Sequence, residues 1–245
     1  MYSLAQFANI SPSNLPIHVK QAILQLCKQL GTDIPFTMIQ ETTGIKDSLR
    51  ELNKITKENK EEKSVLICSI LQSHESELEE FLPVLMKELC KQPFFSTLYA
   101  DLFHLFQSKW PIFHTVFNDF FMIHKESFAT IQTCSPDDYD EYCILKKIND
   151  ERRAFTLFLV NCIKNKSVDI LYYDALMTTL VQCITDARDT LGTLGSDIMN
   201  EYIEHLFLLI QIKEHSIVNT LLHSDISMKM KFRCMDILNL HKSSQ

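Results

Sequence analysis

The segment from Arg152 to Arg188, RRAFTLFLVNCIKNKSVDILYYDALMTTLVQCITDAR, is the strongest indication of the fold class. Its residues 154–163 are apolar on nearly every side of a helix, which predicts a central helix packed between others. Ser167 begins a second predicted helix that extends to about Arg188. No proline follows Pro136, so no residue of this kind interrupts a helix in the C-terminal part. The stretch therefore indicates an all-α protein.

The helical pattern extends in both directions from this segment. Ser76 and Glu79 have the spacing of a capping box, in which two side chains close the first turn of a helix. The other predicted helices cover Leu15–Leu30, Val65–Leu71, Leu78–Leu89, Phe94–Phe106, Pro111–His124, Asp197–Ile212, Ser216–His223 and Ser227–His241. Helices in this number, joined by short loops, favour an α-solenoid of stacked helix pairs over a globular bundle. A clean internal repeat of about 40–47 residues is not visible.

The glycine and proline contents exclude several classes of protein. The 245 residues include only 4 Gly and 7 Pro. Phosphate-binding loops, dinucleotide-binding turns and many-stranded sandwiches all need glycine at positions where φ is positive. So few glycines argue against enzymes with glycine-rich phosphate loops and against β folds.

Charge and cysteine usage bear on the partners and the compartment. The net charge of −7 argues against a protein whose main task is to coat nucleic acid, because that footprint is basic. No apolar run approaches the ~18 residues of a membrane span, and residues 1–16 lack the pattern of a secretory signal. The 8 cysteines form no CxxC pair and lie mostly in apolar segments. We therefore expect reduced thiols in a cytoplasmic protein that has no contact with a membrane.

Catalytic and metal-binding motifs are mostly absent from the sequence. The 9 histidines show no metal-binding spacing, and we interpret them as surface or partly buried helix residues. We predict no cofactor, no metal site and no small-molecule substrate. One acidic cluster resembles the aspartate-rich box with which all-helical prenyl-diphosphate enzymes hold Mg²⁺, and it consists of Asp137, Asp138, Asp140 and Glu141. A helix N-terminus enriched in acidic residues is the favoured interpretation, and a Mg²⁺-dependent enzyme that uses Asp137, Asp138 and Glu141 is the alternative from another class.

A small group of basic residues near the C-terminus is a candidate RNA contact. It consists of Lys229, Lys231, Arg233 and Lys242. Basic residues at such spacings on a helix also form ordinary solvated faces. Given the net charge of −7, any affinity for RNA would be local and modest.

Four segments resemble, in order, the middle domain of the eukaryotic translation initiation factor 4G scaffold family. Residues 52–56 (LNKIT) are similar to the family's LNKLT, and residues 93–102 (PFFSTLYADL) to its P-x-F-x-x-L-Y-A-x-L segment. Residues 152–162 are similar to its central helix, and residues 226–240 to its closing I-S-x-R-x-R-F…D…L signature. The resemblance covers about residues 47–242, with Lys57 in place of the family's proline.

The resemblance implies a fold and a function for residues 47–245. The fold would be a HEAT-type α-solenoid of about five antiparallel helix pairs. The function would be that of a non-catalytic scaffold, which docks a DEAD-box RNA helicase of the initiation-factor-4A type. By binding one arrangement of the two helicase lobes better than others, such a scaffold shifts the helicase towards its active conformation.

The helicase-binding residues that the resemblance implies fall into two sets. The first is Leu52, Asn53, Lys54, Ile55 and Thr56, and the second is Lys229, Lys231, Phe232 and Asp236. The spacing of Leu52 and Ile55 fits burial in the core as well as it fits contact with a partner. We expect Phe232 in the core, together with Phe94, Leu98 and Tyr99, whereas lysines have no place there.

Residues 1–46 form a predicted N-terminal arm with one helix. Scaffolds of this family bind the cap-binding protein through a Tyr-x-x-x-x-Leu-hydrophobic helix before the middle domain. Tyr2, Leu4 and Phe7 resemble that motif and are the candidate contact residues. The alternative is that Leu4 and Phe7 pack on the chain's own solenoid. Within the same family, an adaptor of mRNA decay or of nuclear cap-linked processing is the alternative function, and the LNKIT segment favours initiation.

Overall fold

The computed structural model describes residues 43–135, 137–190 and 195–242, which contain ten α-helices and no β-strand. The helices are α1 Thr43–Leu52, α2 Lys60–Ser73, α3 Leu78–Lys91, α4 Ser96–Lys109, α5 Ile112–Ser127, α6 Tyr139–Lys164, α7 Ile170–Thr190, α8 Gly195–Leu209, α9 Ile217–Leu222 and α10 Met228–Lys242. The all-α prediction is confirmed. Within the described ranges, none of these helices is long and apolar enough to cross a membrane.

The chain divides between Lys46 and Asp47 into two compact units. The second unit, Asp47–Gln245, contains nearly all of the described residues. The predicted helix Leu15–Leu30 lies outside the described residues, and so do Tyr2, Leu4 and Phe7.

The helices of the second unit pack in a regular order. The even-numbered helices form one row, since α2 packs against α4, α4 against α6, α6 against α8, and α8 against α10. The odd-numbered helices from α3 to α7 form a second row. In this row α3 packs against α5, and the 3₁₀ turn Phe128–Thr130 that follows α5 packs against α7. Contacts of α3 with α4, α7 with α8 and α9 with α10 join consecutive helices. This order is consistent with an α-solenoid of stacked helix pairs.

Helix α6 is the centre of the packing, as its apolar composition predicts. It packs against α3, α4, α7 and α8. The C-terminal half carries most of its buried side chains, among them Phe155, Phe158, Leu159 and Val160. The N-terminal part, from Tyr139 to Ile148, is mostly exposed. The central helix is therefore longer than its apolar stretch, and one end of it meets solvent.

Two local predictions are wrong. The capping box of Ser76 and Glu79 does not form, because a 3₁₀ turn, Glu75–Glu77, precedes α3 and no side chain caps the helix. Phe94, expected in the core, is 89% exposed. It follows Pro93 in a second 3₁₀ turn, where the backbone points its ring outward, whereas Leu98 and Tyr99 one turn later are buried as expected.

Candidate functional site

The first set of predicted helicase-binding residues forms the end of α1 and the loop to α2. Backbone N–H groups of Asn53, Lys54 and Ile55 donate hydrogen bonds to carbonyl groups of the last turn of α1. Leu52 and Ile55 are thereby turned inward and are almost fully buried. Their side chains belong to the core, so they can shape this loop for a partner without touching it.

Of the predicted residues in this loop, Asn53, Lys54 and Thr56 are exposed, and so are the next two residues of the loop, Lys57 and Glu58. Thr56 is held by Asn59, whose Oδ1 accepts a hydrogen bond from the Thr56 backbone N–H at 2.7 Å. The Asn59 side-chain amide donates to the Lys54 carbonyl oxygen at 3.0 Å. These bonds give the loop one defined conformation, although proline is absent from it.

An ion-pair network centred on Glu51 includes Lys54. The ammonium groups of Lys54 and Lys63 donate to the two carboxylate oxygens of Glu51 at 2.6 and 2.7 Å. These hydrogen bonds lower the pKa of the Glu51 carboxyl group to about 2. Glu51 therefore stays ionised, and it holds Lys54 at the edge of the loop.

The second set of predicted residues lies on α10, which has two distinct faces. Met230, Cys234 and Ile237 are buried on one face, towards α8 and α9. Met228, Phe232 and Met235 are exposed on the other, at the spacing of a single helix face. Phe232 is 58% exposed, so the expectation that it belongs to the core is wrong. We refer to Met228, Phe232 and Met235 as the α10 apolar strip.

Charged residues flank this strip. Lys229 and Asp236 are exposed, and Lys231 is half-buried. The two sets of predicted residues are held by different neighbours, since α2 packs against α4 whereas α10 packs against α8 and α9. The structure thus brings the second set together on one helix and keeps it in another part of the helix array from the first.

Arg233 does not behave as a free RNA-binding cation. Its Nε and Nη2 donate hydrogen bonds to both carboxylate oxygens of Glu204, at 3.1 and 2.7 Å. Its guanidinium also lies 3.6 Å from the centre of the Phe207 ring. The predicted RNA patch is therefore reduced, because Arg233 is committed to holding α10 on α8. The side chain of Lys242 lies outside the described residues.

The acidic cluster at the start of α6 is a solvated helix end. Asp137, Asp138, Asp140 and Glu141 are all exposed. The backbone N–H of Asp137 donates to Ser135 Oγ at 3.2 Å, and Asp140 and Glu141 lie in the first turn of the helix. In the described part of the chain, no three or more His, Cys, Asp or Glu side chains are arranged to hold a metal ion. The Mg²⁺-dependent alternative gains no support from this arrangement.

A buried polar cluster is the feature that sequence reasoning missed. His124 Nε2 and His205 Nδ1 lie 3.0 and 2.8 Å from the Thr156 hydroxyl oxygen, between α5, α6 and α8. Both histidines are buried, which contradicts the interpretation of the histidines as surface or partly buried residues. Burial lowers the pKa of His124 to about 3. Burial also lowers the pKa of His205, and the neighbouring His124 and Arg152 lower it further. Their spacing in the sequence carries no signal, since three separate helices bring them together.

Arg152 extends this cluster towards the surface. Its Nε donates to Ser127 Oγ at 3.0 Å, and its Nη1 donates to Asn149 Oδ1. Arg153, the next residue, pairs instead with Asp150 and Glu201. Two neighbouring arginines are thus held in different ways, Arg153 by carboxylates and Arg152 by neutral oxygens.

Comparison of the chain with protein-family models, with curated proteins and with solved structures finds no match in any of the three sets.

Proposed function

We propose that this protein is a non-catalytic translation-initiation scaffold that docks a DEAD-box RNA helicase of the initiation-factor-4A type. It favours the active conformation of the helicase and links it to a cap-binding protein. The proposed fold of residues 47–245 is a HEAT-type α-solenoid of about five antiparallel helix pairs, in keeping with the two rows of packed helices. The proposal starts from the four segments that resemble the initiation factor 4G family.

The α10 apolar strip is the observation that carries the proposal. Exposed apolar side chains that share one helix face mark sites of protein–protein contact, and Met and aromatic residues are enriched at such sites. The strip contains Phe232 and lies beside Lys229 and Asp236, so the residues taken from the resemblance coincide with an exposed apolar surface. A partner that covers the strip gains the free energy of removing it from water.

The α1–α2 loop is the proposed second contact with the helicase. Asn53, Lys54 and Thr56 are among its exposed polar residues, and the buried Leu52 and Ile55 hold the loop from inside. Two contacts on a rigid helix array would fix the relative orientation of the two helicase lobes. Because the scaffold binds that orientation better than others, it increases the fraction of helicase that is competent to hydrolyse ATP.

Binding to a purified initiation-type DEAD-box helicase, and its RNA-dependent ATPase rate, test the proposal. We expect the wild-type chain to bind the helicase and to accelerate ATP hydrolysis. Phe232→Asp should weaken binding roughly tenfold or more, because it places a charge in the centre of an apolar contact. Leu171→Asp on α7 is the matched control, since Leu171 is also a large exposed apolar residue. It should bind like the wild type.

The proposal fails if the wild-type chain neither binds the helicase nor accelerates it. Equal affinities of the Phe232→Asp and Leu171→Asp variants would show that the α10 apolar strip is not the docking surface. For the cap-binding protein, the test is removal of residues 1–14, which contain Tyr2, Leu4 and Phe7. An unchanged affinity for the cap-binding protein would exclude these residues as its contact.

A further inference from the structure

A cavity of about 270 Å³ opens between α3, α5 and α6, on a different part of the molecule from the α10 apolar strip. Its floor is formed by Arg152, His124 and Phe155, all of which are buried. Exposed or half-buried residues form its mouth, namely Lys87, Lys91, Phe120, Ile123, Ile148 and Glu151. The cavity therefore combines an apolar wall with a guanidinium group at its base.

Within the described residues, no carboxylate contacts the guanidinium group of Arg152. Arg152 is only 8% exposed, and both side-chain hydrogen bonds that it donates within the described residues go to neutral oxygens. Glu201 attracts Arg152 through space, but its carboxylate accepts a hydrogen bond from Arg153 at 2.5 Å. A buried cation without a contacting carboxylate is costly, and a negatively charged group in the cavity would relieve that cost.

Two lysines also lie at the mouth of the cavity. Lys87 is exposed, and Lys91 is half-buried and pairs with Glu88 at 2.5 Å. Glu151 is the acidic residue of the lining, and it is exposed. With Arg152 included, the lining carries three cations and one carboxylate, and Glu88 outside the lining pairs with one of these cations, Lys91. The remaining balance is still positive, so it is complementary to the charge of an acidic ligand.

The apolar groups argue for a polypeptide ligand. Ile123 is 64% exposed at the mouth, and Ile148 is exposed on the facing helix. A free inorganic anion would leave both of these side chains in water. A peptide segment can place one apolar side chain in the cavity, which has room for about one, and cover the rim with its backbone. Its carboxylate would then reach Arg152.

We propose that this cavity, the α3–α5–α6 pocket, binds an acidic segment of a partner protein in which a large apolar residue lies close to an aspartate or glutamate. The apolar side chain fills the space beside Phe155 and Ile123. The carboxylate accepts hydrogen bonds from Arg152, and Lys87 and Lys91 attract the segment from the mouth. This site is independent of helicase docking by α10.

Short synthetic peptides provide the test, measured against the full chain by fluorescence anisotropy. Each peptide carries a Leu, Ile or Phe adjacent to, or one helical turn from, an Asp or Glu, and each has a counterpart with Asn or Gln in place of the acid. We expect at least one acidic peptide to bind roughly tenfold more tightly than its amide counterpart, because a hydrogen bond to a charged group is the stronger kind. Lys87→Glu and Ile123→Ser should each abolish that preference or weaken binding several-fold.

Matched variants separate the pocket from the general surface. Met122→Ser changes the neighbouring exposed apolar residue, and Lys146→Glu changes an exposed lysine of α6, and neither residue lines the pocket. Both variants should bind the acidic peptide like the wild type. Arg152→Gln should lose the preference for acid over amide. If the Arg152→Gln variant does not fold, Lys87→Glu and Ile123→Ser still test the pocket, because they change exposed residues.

Several results would overturn the proposal. It is wrong if no acidic peptide binds better than its amide counterpart, or if Lys87→Glu and Ile123→Ser leave the affinity unchanged. Binding of inorganic phosphate that is lost in Lys87→Glu, without binding of any peptide, would show that the pocket is a simple anion site. Self-association that Ile123→Ser abolishes, measured by analytical ultracentrifugation, would identify a second copy of the chain as the occupant. Neither of these two results depends on whether the helicase binds.

Discussion

At the scale of single residues, the buried pair His124 and His205 is the most consequential feature. One ring nitrogen of each histidine contacts the same hydroxyl group, that of Thr156. A hydroxyl group can donate one hydrogen bond and accept up to two. The rings also pack on aromatic side chains, with centroid distances of 4.4 Å from His124 to Phe155 and 4.6 Å from His205 to Phe128. In the described residues, His205 Nε2 is buried without a hydrogen-bond partner. Protonation of either ring would place a charge in this apolar surrounding beside Arg152.

The histidine pair predicts that acid destabilises the fold well above the range in which carboxylates titrate. The pKa of His124 is about 3 in the folded chain, below the 6.5 of a free side chain. The unfolded chain therefore binds more protons below pH 6.5, and the free energy of unfolding falls as the pH is lowered from 6.5 towards 3. His124 alone should contribute a loss of about 2 kcal/mol between pH 6.5 and pH 5.

Urea denaturation at several pH values measures this loss. His124→Gln keeps a polar group near Thr156 and removes the titration, so its stability should depend less on pH in this interval, by about the same 2 kcal/mol. His104→Gln, at an exposed position of α4, is the matched control and should retain the pH dependence of the wild type. A His124→Gln variant with the pH dependence of the wild type would contradict the assignment.

At the scale of elements, the α1–α2 loop and α10 present two different kinds of surface. The loop turns its apolar residues inward and shows a partner only polar groups. Helix α10 buries one apolar face and exposes another, and Arg233 with Glu204 fixes its orientation on α8. We therefore expect the loop to contribute specificity through polar contacts and α10 to contribute most of the affinity.

Substitutions in the loop separate its folding role from its binding role. Ile55→Ala should lower the free energy of unfolding by about 2–5 kcal/mol, because it removes buried methyl groups and leaves a cavity. Lys54→Ala should cost less than about 1 kcal/mol, because it breaks an ion pair at the surface. Chemical denaturation measures both changes. A cost below about 1 kcal/mol for Ile55→Ala would mean that Ile55 is not part of the core.

At the scale of the whole molecule, charge limits direct contact with RNA. The net charge is −7, and Arg233 is held by Glu204. Lys229 and Lys231 are the remaining described residues of the predicted patch, and no carboxylate contact of either is found within the described part of the chain. We therefore expect any RNA contact of this patch to be small.

The salt dependence of RNA binding measures the size of this contact. Each phosphate contacted on a single strand contributes about −0.7 to the slope of log K against log salt concentration, so two lysines should give a slope of about −1.4. The double variant Lys229→Ala and Lys231→Ala should bring the slope close to zero. Lys146→Glu on α6 is the control and should leave the slope as it is. A slope as steep as about −3 in the wild type would indicate a larger basic surface elsewhere.

Most of the fold could be predicted from the sequence because its signals are local. The apolar stretch 154–163 lies at the centre of the packing. The other helices predicted from Phe94 onward match the observed ones within a few residues, whereas α6 begins at Tyr139, well before its apolar stretch. The burial of Leu98 and Tyr99 follows from their position on the apolar face of α4. The errors lie at element ends, such as Ser76 and Phe94, where a 3₁₀ turn replaces the expected geometry.

The candidate sites could be predicted only in part. Lys229 and Asp236 lie on the surface, as expected for interface residues. Phe232 is exposed as well, contrary to expectation, because the helical repeat places residues 230 and 232 on different faces. Which of these faces meets α8 and α9 depends on contacts between helices that are distant in the sequence. The same holds for His124, Thr156 and His205, which come from three helices.

The helical architecture, with few positions that need glycine, follows from the sequence without further information, because helix formation and its interruption depend on neighbouring residues. Packing between distant helices determines which apolar residues stay in water and, among the described residues, which cations lack a contacting carboxylate. The α10 apolar strip is an example of the first, and the buried Arg152 is an example of the second. Their exposure and charge balance depend on groups far away along the chain, and only packing brings such groups together.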